Sequence, residues 1–321
     1  MAIVTNTYQS AQIKGIKEDL SDVIYNITPD DTPFYSACKK TKAKNTLVEW
    51  QTDTLRSSTV NAHVEGDETT FDAATPTARL NNRTQIFKDA VIIADTDEGL
   101  SKAGRAKEMA YQTLKIAREQ KLDIEKALFL NQEADAGNNT TDPRKLAGLG
   151  AWVKTNTNFD ATGTTTAGAD PVTIGSTART DNEATRAFDQ DLFDDVMQQV
   201  WTSGGNPDRV YLSPTNMNVA LGFTGGQNSR RNIDAATETV YNSVDVYVTP
   251  WGTVEFTPSR ECRGRDVYIL QSDMWEVGVL RGTKNTELAK TGDATKRQVV
   301  TELTLCAKNE ASSGGVFDTA G

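Results

Sequence analysis

Residues 96–136 hold the longest helical signal in the chain, and a helix of that length must be packed along much of one side. Ala106, Ala110, Leu114, Ala117, Ile124 and Leu128 recur at steps of three, four and seven, and Met109, Ile116 and Ala127 widen them into one apolar stripe. Glu108, Lys115, Glu119, Asp123 and Lys126 fall on the other side, with Lys115/Glu119 and Asp123/Lys126 spaced to pair. Gly99 and Gly104 blur the start, and Gly137-Asn138-Asn139 supplies a stop. Tyr111, Leu122 and Phe129 lie off the stripe and cluster together at ~100° per residue. They are either scattered exposed apolar residues or a second contact seam, which would make the helix a beam between two parts of an assembly.

The rest of the chain is polar for its length. Apolar residues are 37% of 321 and the mean hydropathy is −0.51, which predicts many loops and strands and surface that only partners cover. A net charge of −10 and a pI of about 4.8 argue against tight sequence-specific nucleic-acid binding. Cys38, Cys262 and Cys306 are widely spaced without a CxxC, so they read as free thiols in a reducing cytoplasm. No run approaches the ~20 apolar residues of a membrane helix. The first residues lack the basic and apolar regions of a secretory signal.

Residues 1–35 read as an arm with too little apolar surface to fold alone; 17–27 could form a short helix, with Pro29 and Pro33 interrupting the chain just beyond it. Lys39, Lys40, Lys42 and Lys44 are either a solvated turn or a patch facing a polyanion or an acidic neighbour. Residues 46–55 alternate as a strand, 56–85 are long and polar, and 83–94 read as a strand returning towards the long helix. Together these predict a long β-hairpin with His63 in its polar tip. Its edges are unpaired and its core is small, so it makes sense lying across another subunit. Residues 145–153 form an apolar patch anchored by Trp152, and 154–186, rich in Thr, Gly, Asp and Asn, read as a surface insertion or mobile loop. Residues 187–202 are a second amphipathic helix, ended at 204–207. A short buried strand at 209–212 precedes a helix opened by Pro214 and running through Leu221, and 223–238 is a polar loop. Further strands are expected at 244–248 and 253–257 as a hairpin, at 266–270 and 275–280, and at 297–308 as the last one. This mixture is α+β.

The only histidine is His63, in a polar stretch, so His-based triads and His-rich metal sites are unavailable. Gly222, Gly225 and Gly226 lack the GK[ST] of a phosphate loop. The pairs Asp30/Asp31 and Asp194/Asp195 are adjacent and point apart on regular structure. Nothing here supports an enzyme, and no cofactor or metal is implied.

The order of parts resembles the HK97-fold major capsid proteins of tailed bacteriophages. Runs at 18–34, 61–87, 94–129, 211–218 and 300–314 are similar to one subgroup, the SU10-type major capsid family, and the second and third are the most specific. The resemblance spans nearly the whole chain except 154–186. It implies an N-arm (1–45), an E-loop hairpin with its base strands (46–95), and a P-domain (96–186) whose spine helix is 96–136. It further implies an A-domain (187–290) and a C-terminal strand returning to the P-domain (291–321). It implies self-assembly through pentamers and hexamers into an icosahedral shell around double-stranded DNA. Under it the inter-subunit contacts would include Trp50, His63, Glu65, Asp67, Phe71, Arg79 and Arg83 from the hairpin and Tyr111, Leu122 and Phe129 from the helix. Lys39, Lys40, Lys42 and Lys44 are the local candidates for DNA-facing charge. A portal, a separate scaffolding protein and a cement protein are the other implied partners, with no membrane, and the site of assembly would be the host cytoplasm.

Two features bear on that resemblance. No lysine occurs between Trp50 and Lys88, so an isopeptide crosslink from a hairpin-tip lysine is not available. Met1 leads straight into the arm, so scaffolding is expected from a separate protein. The competing class is a virion-surface decoration or adhesion module, which the acidic charge and the 154–186 insertion would also suit.

Overall fold

A computed structural model of the chain describes residues 31–69, 71, 73–100, 107–138, 140–160, 178–223 and 246–320. The helix expected at 17–27 lies outside these residues. In chain order the elements are α1 (Pro33–Ala37), β1 (Lys39–Lys42), β2 (Leu47–Thr52), β3 (Ala78–Arg83), β4 (Gln85–Ala94), α2 (Asp95–Gly99) and α3 (Glu108–Phe129). There follow α4 (Leu149–Trp152), β5 (Asn156–Asn158), α5 (Gln190–Thr202), β6 (Arg209–Leu212), α6 (Pro214–Ala220) and β7 (Val246–Thr249). The last are β8 (Gly252–Pro258), β9 (Asp266–Leu270), β10 (Trp275–Leu288), β11 (Ala294–Ala307) and β12 (Gly314–Phe317).

These strands make three sheets: β1-β10-β11-β4, β5-β12-β9-β6-β8-β7, and the two-stranded β2-β3. The four-stranded sheet carries α3 on one face. Its pairing is antiparallel except for β1, which runs parallel to β10. The six-stranded sheet packs α5 and α6 over a core of Phe193, Val196, Val200, Phe223, Tyr247 and Phe256. A second core joins the two sheets: Phe129 at the end of α3 stacks within 5.3–5.9 Å of Phe34, Tyr211 and Tyr268. Trp152 from the predicted apolar patch is fully buried in the same core. The architecture is α+β, as the residue patterns predict.

Four expectations are corrected. The long helix ends at Phe129, not at Ala136, and Leu130 is extended. The cause is close packing: a Cβ on Gly148 would stand 2.2 Å from the Leu130 carbonyl oxygen, so the 148–150 backbone occupies the space a longer helix would need. The returning strand of the hairpin is β3, inside the stretch read as polar, because its Ala-Arg-Leu-Asn-Asn-Arg sequence carries only one strong apolar residue. β4 instead pairs with β11.

The segment 178–186 is not a surface insertion. Arg179 is 3% exposed and pairs with Asp266 at 2.7 Å and Asp181 at 2.9 Å, and its guanidinium lies 3.6 Å from the Phe317 ring centre. β5, at the other end of the stretch 154–186 read as an insertion, pairs with β12. Finally, β11 is not the last strand. β12 was hidden by Gly314-Gly315, residues of poor strand propensity. The space explains them: a Cβ on Gly314 would lie 2.6 Å from Val196 Cγ1 on α5 and 2.7 Å from the Asn156 carbonyl oxygen.

Candidate assembly surfaces

The β2-β3 hairpin is anchored at its base and bare at its tip. At the base Trp50 donates its indole N–H to the Ala307 carbonyl at 2.8 Å and lies 5.4 Å, ring to ring, from Trp152. Leu80 is buried. The Asn82 amide donates to the carbonyls of Leu305 (2.7 Å) and Ala147 (3.1 Å) and accepts from the Ala147 N–H (2.9 Å). Those three bonds satisfy a fully buried side chain, so the hairpin leaves the body in one orientation. Arg79 pairs with Glu49 across the strands, and Arg83 is half-buried. Trp50→Phe keeps the ring and removes the bond to β11. It is expected to cost about 1 kcal/mol of stability, measured by urea unfolding of the unassembled chain.

Beyond Thr52 and Ala78 ladder pairing stops. Leu55, Val60, Val64 and Phe71 are 81–99% exposed, so the tip presents apolar side chains that nothing covers among the described residues. His63 shares a 2.7 Å hydrogen bond with Asn61 Oδ1 and faces Asp67 at 3.5 Å. Glu65 is exposed. Five of the seven hairpin residues expected to touch a neighbour are thus solvent-facing. Trp50 is half-buried against its own body, and Arg83 half-buried at the base.

On α3 the three off-stripe residues do not share one exposed face. Tyr111 and Leu122 are half-buried, but Phe129 is 0% exposed at the centre of the aromatic cluster and is unavailable to another copy. The main stripe is also rotated from the expected one: Ala110 and Leu114 are exposed, while Glu108, Gln120 and Glu125 are buried. Tertiary bonding accounts for Gln120. Its amide donates to Asp89 (3.1 Å) and the Val299 carbonyl (3.1 Å) and accepts from the Thr301 hydroxyl (2.7 Å). A polar residue so satisfied can occupy the buried face, and an apolar periodicity cannot reveal that. The Lys115–Glu119 pair forms at 3.6 Å on the solvent side, as spaced.

Glu125 is the polar residue that most shapes the N-terminal end of the described chain. Fully buried, it accepts the backbone N–H groups of Phe34 (2.9 Å) and Tyr35 (2.7 Å), so α3 caps the start of α1. Burial pushes its carboxyl up to about 7, against the pull of those two N–H groups. No local signal marks it, because its partners are ninety or more residues away.

Lys39, Lys40 and Lys42 lie on β1, an edge strand and not a turn, and with Lys44 all are exposed. Lys39 reaches Glu276 at 3.7 Å, and Lys40 donates to the Tyr35 carbonyl at 3.0 Å. An edge of lysines also blocks strand addition by another chain.

A double-sheet α+β body, a packed spine helix and a projecting hairpin with a bare apolar tip define a shell-forming subunit of the HK97-like capsid class. The model of one family, the SU10 major capsid protein, matches residues 3–320, and the chain belongs to that family. It is 32% identical over 337 aligned positions to the major capsid protein of Escherichia phage Phieco32, covering 96% of this chain and 95% of that one. Among solved structures it superposes on the capsid asymmetric unit of cyanophage A-1(L) with a TM-score of 0.70, 12% identity and coverage of 98% and 99%. It also superposes on a structure from Microbacterium phage Oxtober96 with a TM-score of 0.60, 12% identity and 95% coverage of each chain. The chain is therefore a structural component of a phage capsid, built from many copies of itself.

Proposed function

We propose that this chain assembles through pentamers and hexamers into an icosahedral shell enclosing phage double-stranded DNA, and that each copy's hairpin lies on a neighbour. The observation that carries this is the hairpin tip: four large apolar side chains almost fully exposed on a segment that makes no core of its own. In this division residues 1–45 are the N-arm, 46–95 the E-loop hairpin with its base strands, 96–186 the P-domain and 187–290 the A-domain, with 291–321 returning to the P-domain. The contacts lent to a neighbour are His63, Glu65, Asp67, Phe71 and Arg79, with Trp50 and Arg83 fixing the hairpin's direction. Tyr111 and Leu122 supply the helix side of the contact. DNA is enclosed without sequence specificity, with Lys39, Lys40, Lys42 and Lys44 as local DNA-facing charge. A portal, a separate scaffolding protein and a cement protein complete the particle, assembled in the host cytoplasm.

The test compares the full chain with one whose residues 54–76 are replaced by a short Gly/Ser turn, by negative-stain microscopy and thermal unfolding. Pentamers, hexamers or shells are expected only from the full chain, with unchanged unfolding midpoints. Equal assembly by the shortened chain, or an intact chain that stays monomeric or trimeric, would overturn the reading. The shell is held non-covalently, since the tip offers no lysine for an isopeptide bond. In boiled particles this chain should run as a single band near 35.0 kDa on a denaturing gel, without a ladder of its multiples.

A further inference from the structure

α3 sets Gln120 and Ile124 against the body of the chain, and a second row of residues runs beside that buried face. At ~100° per residue Ala110, Leu114, Ala117, Arg118, Lys121 and Glu125 fall within about 100° of one another. The row is covered at one end only. Glu125 is buried because the start of α1 sits on it, with the backbone N–H groups of Phe34 and Tyr35 donating to its carboxylate. Before that point Ala110, Leu114 and Arg118 are exposed, Leu114 by 58%, and Ala117 and Lys121 are half-buried. Among the described residues neither Arg118 nor Lys121 forms an ion pair. The open part of the row is therefore apolar and basic, on a chain whose net charge is −10.

The chain that precedes α1 has the complementary make-up and starts from the right place. The described residues begin at Asp31, so what comes before them departs from the Glu125 end of this row. Residues 18–31 carry Glu18, Asp19, Asp22, Asp30 and Asp31 and no Lys or Arg. At helical spacing Leu20, Val23, Ile24 and Ile27 share one side. The lengths agree as well: at ~1.5 Å per residue Ala110–Lys121 spans about 16 Å and a helix over 17–27 about 15 Å, with residues 28–30 as the joint. We propose that residues 17–30 lie along the Ala110–Lys121 row of α3 in their own chain, with the apolar side on Ala110, Leu114 and Ala117 and the carboxylates beside Arg118 and Lys121. The tether through α1 keeps this segment at high effective concentration over its own helix, which favours it over the same segment of a second copy. A polyanion such as DNA would match the two cations but leave Ala110 and Leu114 in water. The contact belongs to one copy and does not depend on the hairpin lying on a neighbour.

The test places a photo-crosslinking side chain in the segment, Ile24→p-benzoylphenylalanine, in the unassembled full chain. Nitrogen-15-labelled and unlabelled copies are mixed in equal amounts, and the linked peptides are mapped by mass spectrometry. Links from residue 24 to 107–121 within one isotopic class are expected. Links to α3 across the two classes would show exchange between copies and overturn the contact within one chain. Links to any other element, or none, would overturn the seat on α3 altogether. In parallel, Leu114→Asp and Arg118→Glu, both at exposed positions, should each raise the hydrogen-exchange rate of residues 17–30 about tenfold while that of β11 stays as it was. Adding Asp19→Arg and Asp22→Arg to Arg118→Glu should recover part of the protection. Exchange at 17–30 that neither substitution changes would also overturn the proposal.

Discussion

Asp266→Ala should lower the unfolding free energy of the unassembled chain by about 3–5 kcal/mol, the range found when one partner of a buried ion pair is removed. Asp266 and Arg179 both have 0% side-chain exposure and meet at 2.7 Å. Asp266 also lies 3.3 Å from Arg263 and accepts the Tyr268 hydroxyl at 3.0 Å. Deleting the carboxylate leaves the Arg179 guanidinium buried with Asp181 as its remaining counter-charge, and Asp181 is engaged by Arg263 as well. Two guanidinium nitrogens of Arg179 already have no hydrogen-bond partner, so the cation has little in reserve. Asp181→Ala is the control. Its side chain is 26% exposed, water can replace it, and the loss should be about 1 kcal/mol. Urea unfolding followed by circular dichroism measures both. A loss below that of Asp181→Ala would show that the network does not tie residues 178–186 to the body.

Stability should also fall as pH rises from about 4.5 towards about 7, and Glu125 should be a main cause. Its ordinary carboxyl value of 4.5 is raised to about 7 in the fold, chiefly by burial. Between those values the native chain keeps the proton and the unfolded chain has lost it. The native state then binds more protons, and unfolding becomes easier with each step up in pH. Below about 4.5 the contribution is fully present, and above about 7 it is gone. A shift of this size corresponds to about 3 kcal/mol across the window. Glu125→Gln keeps an acceptor for one of the Phe34 and Tyr35 N–H groups and removes the titration. It should cost about 1 kcal/mol at the acid end and flatten the slope. Other buried carboxyls, Asp266 and Glu310 among them, are also raised, so the informative quantity is the difference between the two proteins. Parallel pH curves would remove Glu125 as the cause.

Arg179, Asp266 and Glu125 differ in kind from the residues a periodic pattern can find. The α5 helix, the strands at 209–212, 253–257 and 266–270, and the Trp152 patch were legible because each is a local apolar pattern bounded by Gly, Pro or a polar cap. Asp189 and Ser213, for example, each accept an N–H at the start of their helices. The exposed hairpin tip was legible for the opposite reason: a long run without apolar period has no means of burying itself. Arg179, Gln120 and Glu125 were not legible. Each is a polar residue made tolerable in the interior by a partner 87, 179 or 91 positions away, and nothing in its own neighbourhood signals that partner.

By itself, then, the amino-acid sequence determined the α+β character, the family, the projecting hairpin and the spine helix, because these come from short-range periodicity, turn chemistry and runs of shared sequence. Only the tertiary structure decided where that helix stops, which of its faces is covered, that β3 and not β4 closes the hairpin, that β12 exists, and that 178–186 belongs to the interior. The physical reason is common to all five. A buried face, a chain end or a strand pair is chosen by what is already packed against it, and that competition is settled between residues distant in sequence.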